Sequence, residues 1–166
     1  MGNYVRNSAT KGEEVVCEAR QHWISLLPRG IISAILLLGG LASPGSFFLM
    51  LIVAAIIMAK PFINVYMTEL GFTNKRLIGK TGLINTKSLD SPLNKINNVS
   101  VNSGFWGKIL GYGNVNISTS SGAYVYHSVA QPEDFKSRLM NQIDQFDEDR
   151  IKKQATEMAN AIKEAQ

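Results

Sequence analysis

The apolar residues of this chain are concentrated in two runs near its start. The run IISAILLLGGLA covers residues 31–42 and the run FFLMLIVAAIIMA covers residues 47–59, and neither contains a charged residue. Each run alone is shorter than the roughly 20 residues that cross a bilayer as a helix. Further apolar residues extend both runs outward, and the uncharged stretch SPGS at 43–46 separates them with a turn signal. The pattern predicts a transmembrane helical hairpin over residues 23–66.

Charged and aromatic residues at the outer ends of the hairpin occupy the positions of membrane-interface anchors. Arg29 lies 14 residues before Ser43 and Lys60 lies 14 residues after Ser46, which corresponds to about 21 Å of helix on each side of the turn. Both basic side chains can therefore extend to the same interface. Trp23 is a further candidate anchor on the first arm, and Tyr66 is one on the second.

The basic residues also predict the orientation of the hairpin. They fall on its flanks, whereas the turn carries none; the flanking bases are Lys11, Arg20, Arg29, Lys60, Lys75 and Arg76. By the positive-inside rule, we expect a multi-pass protein of the inner (cytoplasmic) membrane with both termini in the cytoplasm. Two alternatives stay open, namely a cleaved signal peptide with its apolar region at 31–38 and a soluble helical core. The signal peptide would leave the second apolar run unexplained.

From residue 68 onward the pattern changes to short segments rich in Val, Ile, Thr and Tyr. Asn, Gly and Ser separate these segments, as is typical of antiparallel strands joined by tight turns. In NVNIST at 114–119, every second residue is apolar or Thr, which indicates a half-buried strand. Hairpin turns are predicted at TNK (73–75), KTG (80–82) and SSG (120–122). The predicted strands are 67–73, 76–80, 83–89, 96–102, 114–119 and 123–129.

The last part of the chain has helical periodicity. Pro132, Glu133 and Asp134 suit a first helical turn. Apolar residues then recur at spacings of 4, 4 and 3, so this helix should pack one face on the sheet; they are Phe135, Leu139, Ile143 and Phe146. The predicted organisation is an N-terminal cytoplasmic segment (1–22), the hairpin (23–66), a domain that ends in a capping helix at 132–146 (67–146), and a charged, frayed helical tail (147–166).

A glycine-rich stretch, GFWGKILGYGNVNIS at 104–118, raises the possibility of a phosphate-binding loop. Such a loop lies between a strand and the N-terminus of a helix. Here the last two glycines precede a predicted strand, and neither GxGxxG nor a Walker pattern is present. We therefore predict a short helical or irregular crossover with structural glycines at Gly107, Gly111 and Gly113, and we assign no nucleotide-binding function to it.

Few residues in the chain suit catalysis. It has one Cys and two His, and it has no clustered carboxylates outside the acidic segment DQFDED. Cys17 has no partner for a disulfide bond, and His22 and His127 are interpreted as packing or structural residues. We predict a protein that is not an enzyme. No catalytic residue, metal site, cofactor or nucleic-acid partner is expected.

Three further segments stand out, namely FTNKRLIGKTGLI, which includes Gly82 as a further structural glycine, SPLNKINNVSV and GKILGYGNVNI. Together they resemble the bacterial pleckstrin-homology-like (PH-like) domain family, in its membrane-anchored subgroup with an N-terminal transmembrane hairpin. The resemblance covers about residues 20–145. It implies a membrane-anchored α+β fold in which the two-helix hairpin precedes a PH-like antiparallel β-barrel or sandwich capped by the C-terminal helix.

Charge distribution supplies the functional hypothesis. Residues 60–115 carry seven bases and two acids, a net charge of +5, whereas residues 116–166 carry six bases and eight acids, a net charge of −2. A basic domain next to a bilayer attracts anionic lipid head groups, with about 1 kcal/mol for each base near the surface. We predict a binding module whose candidate lipid-contacting residues are Lys75, Arg76, Lys80 and Lys87. The alternative is a protein-interaction or homo-oligomeric scaffold that recruits partners through strand edges or the C-terminal helix.

Overall fold

The structure is a computed structural model that describes residues 4–41, 44–82 and 86–164. Five α-helices and seven β-strands are found in these residues, together with two short 3₁₀ turns. In chain order they are α1 (Tyr4–Ser8), β1 (Val15–Arg20), a 3₁₀ turn (Trp23–Leu26), α2 (Leu27–Gly40), α3 (Pro44–Met67), β2 (Glu69–Thr73), β3 (Arg76–Thr81), β4 (Lys87–Pro92), a 3₁₀ turn (Leu93–Lys95), β5 (Ile96–Asn102), α4 (Phe105–Leu110), β6 (Tyr112–Thr119), β7 (Gly122–Ala130) and α5 (Pro132–Glu164).

The strands form two antiparallel sheets. One sheet has the order β1-β2-β3-β4 and the other has the order β5-β6-β7. An isolated bridge between Gln21 and Val129 connects them at one corner. The expectation of antiparallel sheets with a C-terminal helix is confirmed. The described strands do not close into a barrel, however. Apart from this one bridge, no described strand of one sheet pairs with a strand of the other.

The first strand of the fold precedes the apolar helices, where no strand was predicted. β1 pairs antiparallel with β2, with Arg20 opposite Glu69 and Glu18 opposite Gly71. Its residues alternate between half-buried and exposed positions, but six residues give only a weak period-2 signal. The apolar helices are therefore inserted between two neighbouring strands of one sheet.

The other strands lie close to their predicted positions. β5 has the predicted bounds, and β2, β3, β6 and β7 each begin and end within two residues of the prediction. β4 runs over Lys87–Pro92 instead of 83–89, because its ladder with β3 places Lys87 opposite Thr81. Residues 83–85 of that predicted strand lie outside the described residues. The turns predicted at TNK and SSG connect β2 to β3 and β6 to β7.

The two apolar helices pack against each other as an antiparallel pair. A β-carbon at Gly40 would lie 3.1 Å from that of Met50, and the Ser33 hydroxyl donates to the Ala54 carbonyl at 3.5 Å. Of the predicted turn at 43–46, residue 43 lies outside the described residues, and α3 already begins at Pro44. The spans Trp23–Gly40 and Gly45–Met67 are long and apolar enough to cross a membrane. Only 11% of each span is buried, which differs from the core helix of a soluble protein.

The hydrophobic core lies between the two sheets and the first half of α5. Phe135 and Leu139 are buried in it, and Ile143 and Phe146 are partly buried against it. Every described residue from 148 to 163 is exposed, although the helix continues without a break to Glu164. The predicted capping helix and tail therefore form one regular 33-residue helix, because exposed helix-forming residues with local ion pairs sustain its second half.

Candidate functional site

The sheets are joined to the apolar helices almost without linkers. Two residues separate the end of β1 at Arg20 from the 3₁₀ turn that begins at Trp23, and one residue separates the end of α3 at Met67 from β2. The ends of β1 and β2 therefore lie next to the base of the helical pair. We call this end of the four-stranded sheet, which holds Arg20, Glu69, Thr81 and Lys87, the hairpin end.

The four candidate lipid-contacting bases lie at opposite ends of the same strands. Lys80 and Lys87 are at the hairpin end, with Lys87 opposite Thr81 in the ladder. Lys75 and Arg76 are at the other end, in and beside the turn from β2 to β3. Thr81 lies five residues after Arg76 along the extended strand, which corresponds to about 17 Å. The fold therefore does not bring these four residues together.

Arg76 is engaged within the fold. Its Nε donates to Glu13 Oε2 at 3.1 Å, and its Nη1 donates to Asp90 Oδ2 at 2.8 Å. Its Nη2 donates to the carbonyl of Ser8 at 2.8 Å, and 21% of the side chain is exposed. This guanidinium connects the segment before β1 to β4. Its charge is balanced by two carboxylates, whereas the neighbouring Lys75 is exposed.

A cleft opens at the hairpin end between the last turns of α3, the β3–β4 connection and β7. We call it the α3–β7 cleft; its volume is about 550 Å³. None of the described residues that line it is acidic. Lys60, predicted as a membrane anchor, and Lys87, predicted as a lipid contact, both line this cleft. The other polar side chains include Gln21, Asn64, Thr81 and His127.

A bulge in β7 positions His127 at the cleft. The register between β6 and β7 shifts between Gly113 and Val115, and Ser128 has a φ of +52°. Such a conformation is uncommon outside glycine. Here the Ser128 amide donates to the side-chain oxygen of Asn114 at 3.0 Å, and the Ser128 carbonyl accepts from the His22 amide at 2.6 Å. The bulge leaves His127 exposed while Tyr126 stays buried.

Gln21 contributes an unpaired polar atom to the same region. Its side-chain oxygen is buried and accepts no hydrogen bond from the described residues. A buried acceptor without a donor is costly, so Gln21 is a point of local strain beside the cleft that it lines. Sequence patterns gave no indication of Gln21, because a single glutamine carries no periodic or charge signal.

The four candidate membrane anchors lie toward the base of the helical pair, where the pair joins the sheet. Trp23 is 60% exposed and Tyr66 is 56% exposed, and Arg29 and Lys60 are also exposed. The Trp23 ring stacks on the ring of His22 with centroids 5.7 Å apart. His22 Nδ1 also accepts from the Ile24 amide at 3.2 Å and so caps the 3₁₀ turn. The base of the pair therefore exposes both polar and aromatic side chains.

The glycine-rich stretch forms a crossover between β5 and β6, with α4 at its centre. Gly111 ends α4 with a φ of +71°, and a β-carbon at Gly107 would lie 2.5 Å from the Tyr112 carbonyl oxygen. Gly113 packs beside Ser103 and Pro132, and Gly82 follows β3 with a φ of +84°. A nucleotide site needs a strand, a glycine loop and then a long helix. Here α4 has only six residues, and the last glycines lead into strand β6.

The described part of the chain contains no group of three or more His, Cys, Asp or Glu residues that could hold a metal ion. Cys17 is half buried, and burial raises the pKa of its thiol, which lowers its reactivity.

Comparison with known proteins identifies a family for this chain. The family model described as Bacterial PH domain matches residues 31–143. The matched region begins in α2 and ends in α5, so it includes most of α2, all of α3 and six of the seven described strands. No curated protein and no solved structure matches the chain.

Proposed function

Because the chain belongs to the bacterial PH domain family, whose PH-like domains are generally non-catalytic modules that bind lipids or proteins, we propose that it is a membrane-anchored module that holds an anionic lipid head group. The proposed site is the α3–β7 cleft, at the cytoplasmic face of the inner membrane. One observation carries this proposal: Lys60 and Lys87 line a cleft whose described lining includes no acidic residue, at the base of two apolar helices.

The chemistry of the cleft suits a phosphate-bearing head group. Two ammonium groups attract a phosphate as point charges, and this attraction is strongest at low salt. Asn64 and Thr81 offer neutral hydrogen-bond donors beside them. Gln21 also lines the cleft, and its side-chain amide can hydrogen-bond to a neutral part of the head group. The cleft thus offers partners for both the charged and the neutral parts of such a group.

The membrane part of the proposal rests on α2 and α3. The spans Trp23–Gly40 and Gly45–Met67, which contain α2 and most of α3, are long and apolar enough to cross a bilayer, and both are largely exposed. Trp23, Arg29, Lys60 and Tyr66 lie where interface anchors belong, and the positive-inside rule favours cytoplasmic termini. Lys60 would then serve both as an anchor and as a ligand of the head group, because its long side chain extends along the helix toward the interface.

The proposal changes the roles of the other candidate bases. Lys87 remains a lipid contact and Lys60 joins it. Lys80 lies 5.1 Å from the centre of the Tyr4 ring, as a cation–π contact within the domain. Lys75 and Arg76, at the far end of the sheet, have no assigned contact with lipid. The exposed Lys75 provides the matched control for the two lysines of the cleft.

The test is native mass spectrometry of the full-length chain released from bilayers of mixed zwitterionic and anionic phospholipid. We expect the wild type to retain anionic lipid, the double variant Lys60→Gln, Lys87→Gln to lose most of it, and Lys75→Gln to retain it. Retention that is equal in the wild type and the double variant would exclude the cleft as the site.

One observation favours a second candidate, the protein-interaction or homo-oligomeric scaffold. In the distal half of α5, Ile151, Met158 and Ile162 are 60%, 69% and 62% exposed. Their spacings of 7 and 4 place them on one helix face. Under this candidate, residues 147–166 are an assembly segment, and a chain that ends after Asp149 should lose the oligomers that the full chain forms in detergent.

A further inference from the structure

The short helix α4 exposes four large apolar side chains out of six residues. Phe105 is 74% exposed, Trp106 65%, Ile109 61% and Leu110 48%. The rings of Phe105 and Trp106 pack edge to face, with centroids 5.6 Å apart. We call these four residues the α4 patch. Clustered apolar side chains on a surface generally mark a contact with a partner or a membrane.

The backbone prevents α4 from turning this patch inward. Gly107 is buried against β6, where a β-carbon would lie 2.5 Å from the Tyr112 carbonyl oxygen. If the helix rotated to bury one of the apolar residues, that side chain would take the place of Gly107. The space there does not admit even a β-carbon. The patch is therefore an outward-facing feature of the fold.

The patch lies on the same side of the molecule as the base of the helical pair. α4 ends two residues before Tyr112, whose ring centroid is 5.7 Å from that of His22. His22 in turn stacks on Trp23, the first residue of the apolar span. This row of rings connects the crossover to the base of α2. Because only two residues separate β1 from Trp23, the domain lies directly against any bilayer that the helices cross.

We propose that the α4 patch enters the bilayer leaflet next to the domain, as a second membrane contact beside the hairpin. The occupant of the patch is the interfacial region of the lipid. Trp and Phe are the side chains that favour this region, and Lys108 can extend its ammonium to the head groups. This inference rests on the proposed function, since it requires the hairpin to be in the membrane.

A second contact fixes the orientation of the domain on the membrane. The two connections to the hairpin lie side by side, since Arg20 and Glu69 are partners in the β1–β2 ladder, so the hairpin alone holds the domain at one place. With the α4 patch in the same leaflet, the domain is held at two separated points. The α3–β7 cleft then opens at a constant angle to the head groups.

The two tryptophans of the chain, Trp23 and Trp106, allow each contact to be measured separately. In the full-length chain reconstituted in lipid vesicles, Trp23→Phe leaves Trp106 as the sole reporter of α4. Trp106→Phe leaves Trp23 as the reporter of the hairpin. We expect phospholipids brominated on their acyl chains to quench both reporters, and aqueous iodide to quench neither strongly.

Three results would overturn the inference. Trp106 quenched by iodide but not by brominated lipid, while brominated lipid quenches Trp23, would refute the α4 contact and leave the hairpin in the membrane. Failure of brominated lipid to quench either tryptophan would refute the membrane anchor as well. Shielding of Trp106 from both quenchers that disappears as the ratio of protein to lipid falls would show that a second copy covers the patch.

A paired substitution sharpens the test. With Trp106 as the sole tryptophan, Ile109→Ser with Leu110→Ser should reduce its quenching by brominated lipid several-fold. Ile151→Ser, a matched change at an isoleucine exposed to a similar extent on distal α5, should leave it unchanged. Equal quenching in all three chains would refute insertion of the patch.

Discussion

The hydroxyl group of Tyr126 lies against the α-carbon of Gly79, in the space that a β-carbon at position 79 would need. Gly79 belongs to β3 of the first sheet and Tyr126 belongs to β7 of the second. Tyr126 is 2% exposed, and its burial raises the pKa of the phenol well above the usual value. This contact packs the two sheets together and explains a glycine in the middle of a strand.

Substitution of Gly79 should therefore destabilise the domain. We expect Gly79→Ala to lower the free energy of unfolding by about 1–3 kcal/mol, because Tyr126 must move to admit the methyl group. The measurement is the Tm of the full chain in micelles, followed by near-ultraviolet circular dichroism. Gly39→Ala, at a position with open space around it, is the control. An unchanged Tm for Gly79→Ala would show that the sheets are packed more loosely here.

Loss of Arg76 should reduce stability without reducing lipid retention. Arg76→Met removes the charge partner of Glu13, whose side chain is 6% exposed, and leaves that carboxylate with only the hydrogen bond from Thr10. We expect a loss of about 1–3 kcal/mol in the free energy of unfolding. Lys75→Met, at the exposed neighbouring position, should have little effect on stability. If the Arg76→Met variant lost anionic lipid at a temperature where the variant is folded, that result would contradict the assignment of the lipid site to the α3–β7 cleft.

The same ion pair predicts an acid-sensitive stability. Burial opposes ionisation of Glu13, but hydrogen bonds from Thr10 and Arg76 outweigh it, so the pKa of this carboxyl is lowered. A lowered pKa contributes stability above the unfolded-state pKa, about 4. That contribution disappears as the pH falls through the folded-state value.

Glu13→Gln tests this linkage directly. The variant should have a lower Tm than the wild type at neutral pH and a smaller decrease in Tm as the solution is acidified. The measurement is a series of thermal melts of both proteins from about pH 7 to about pH 3. Parallel curves for the two proteins would show that other carboxylates determine the acid limit.

The two halves of α5 should differ in their contributions to stability. Leu139→Ala removes a fully buried side chain and should cost about 2–5 kcal/mol. A chain that ends after Asp149 loses a segment in which every residue from 150 to 163 is exposed, and it should unfold within about 0.5 kcal/mol of the full chain. Thermal melts of both variants at low concentration measure the difference. A large loss on truncation would show that the distal half is needed for folding.

Cysteine labelling tests the orientation of the hairpin. In a Cys17→Ala background, a membrane-impermeant maleimide should label Leu41→Cys from outside intact spheroplasts, because Leu41 is exposed next to the turn. Lys75→Cys should react only after lysis. Labelling of Lys75→Cys in intact spheroplasts would invert the orientation. Labelling of neither residue before lysis, and of both after it, would place the hairpin wholly inside.

The sequence predicted the elements whose signals are local. The apolar runs, the strand alternation and the amphipathic face of α5 each lie within one segment, so they were recognised with bounds close to those observed. β1 was missed because its partner β2 lies beyond the inserted hairpin. Its half-buried residues, Val15, Cys17 and Ala19, show alternation too briefly to stand out.

The candidate site was only partly accessible from the sequence. Its two lysines were selected separately, Lys60 as an anchor and Lys87 as a lipid contact, and only the fold brings them to one cleft. His127 was interpreted as a structural residue, because the bulge that exposes it depends on long-range hydrogen bonds. Lys75 and Arg76 were grouped with Lys80 by their proximity in sequence, although a strand carries its two ends far apart.

The insertion of the hairpin between β1 and β2 determines how the protein would respond to proteolysis. If the helices cross the membrane as proposed, a single cut after Arg20 or before Glu69 would leave the domain attached through the other strand. Two cuts would be needed to release it, and the released part would consist of two fragments held by the β1–β2 ladder. Membrane shedding would thus require both connections to be cleaved, unlike that of a domain attached at one end.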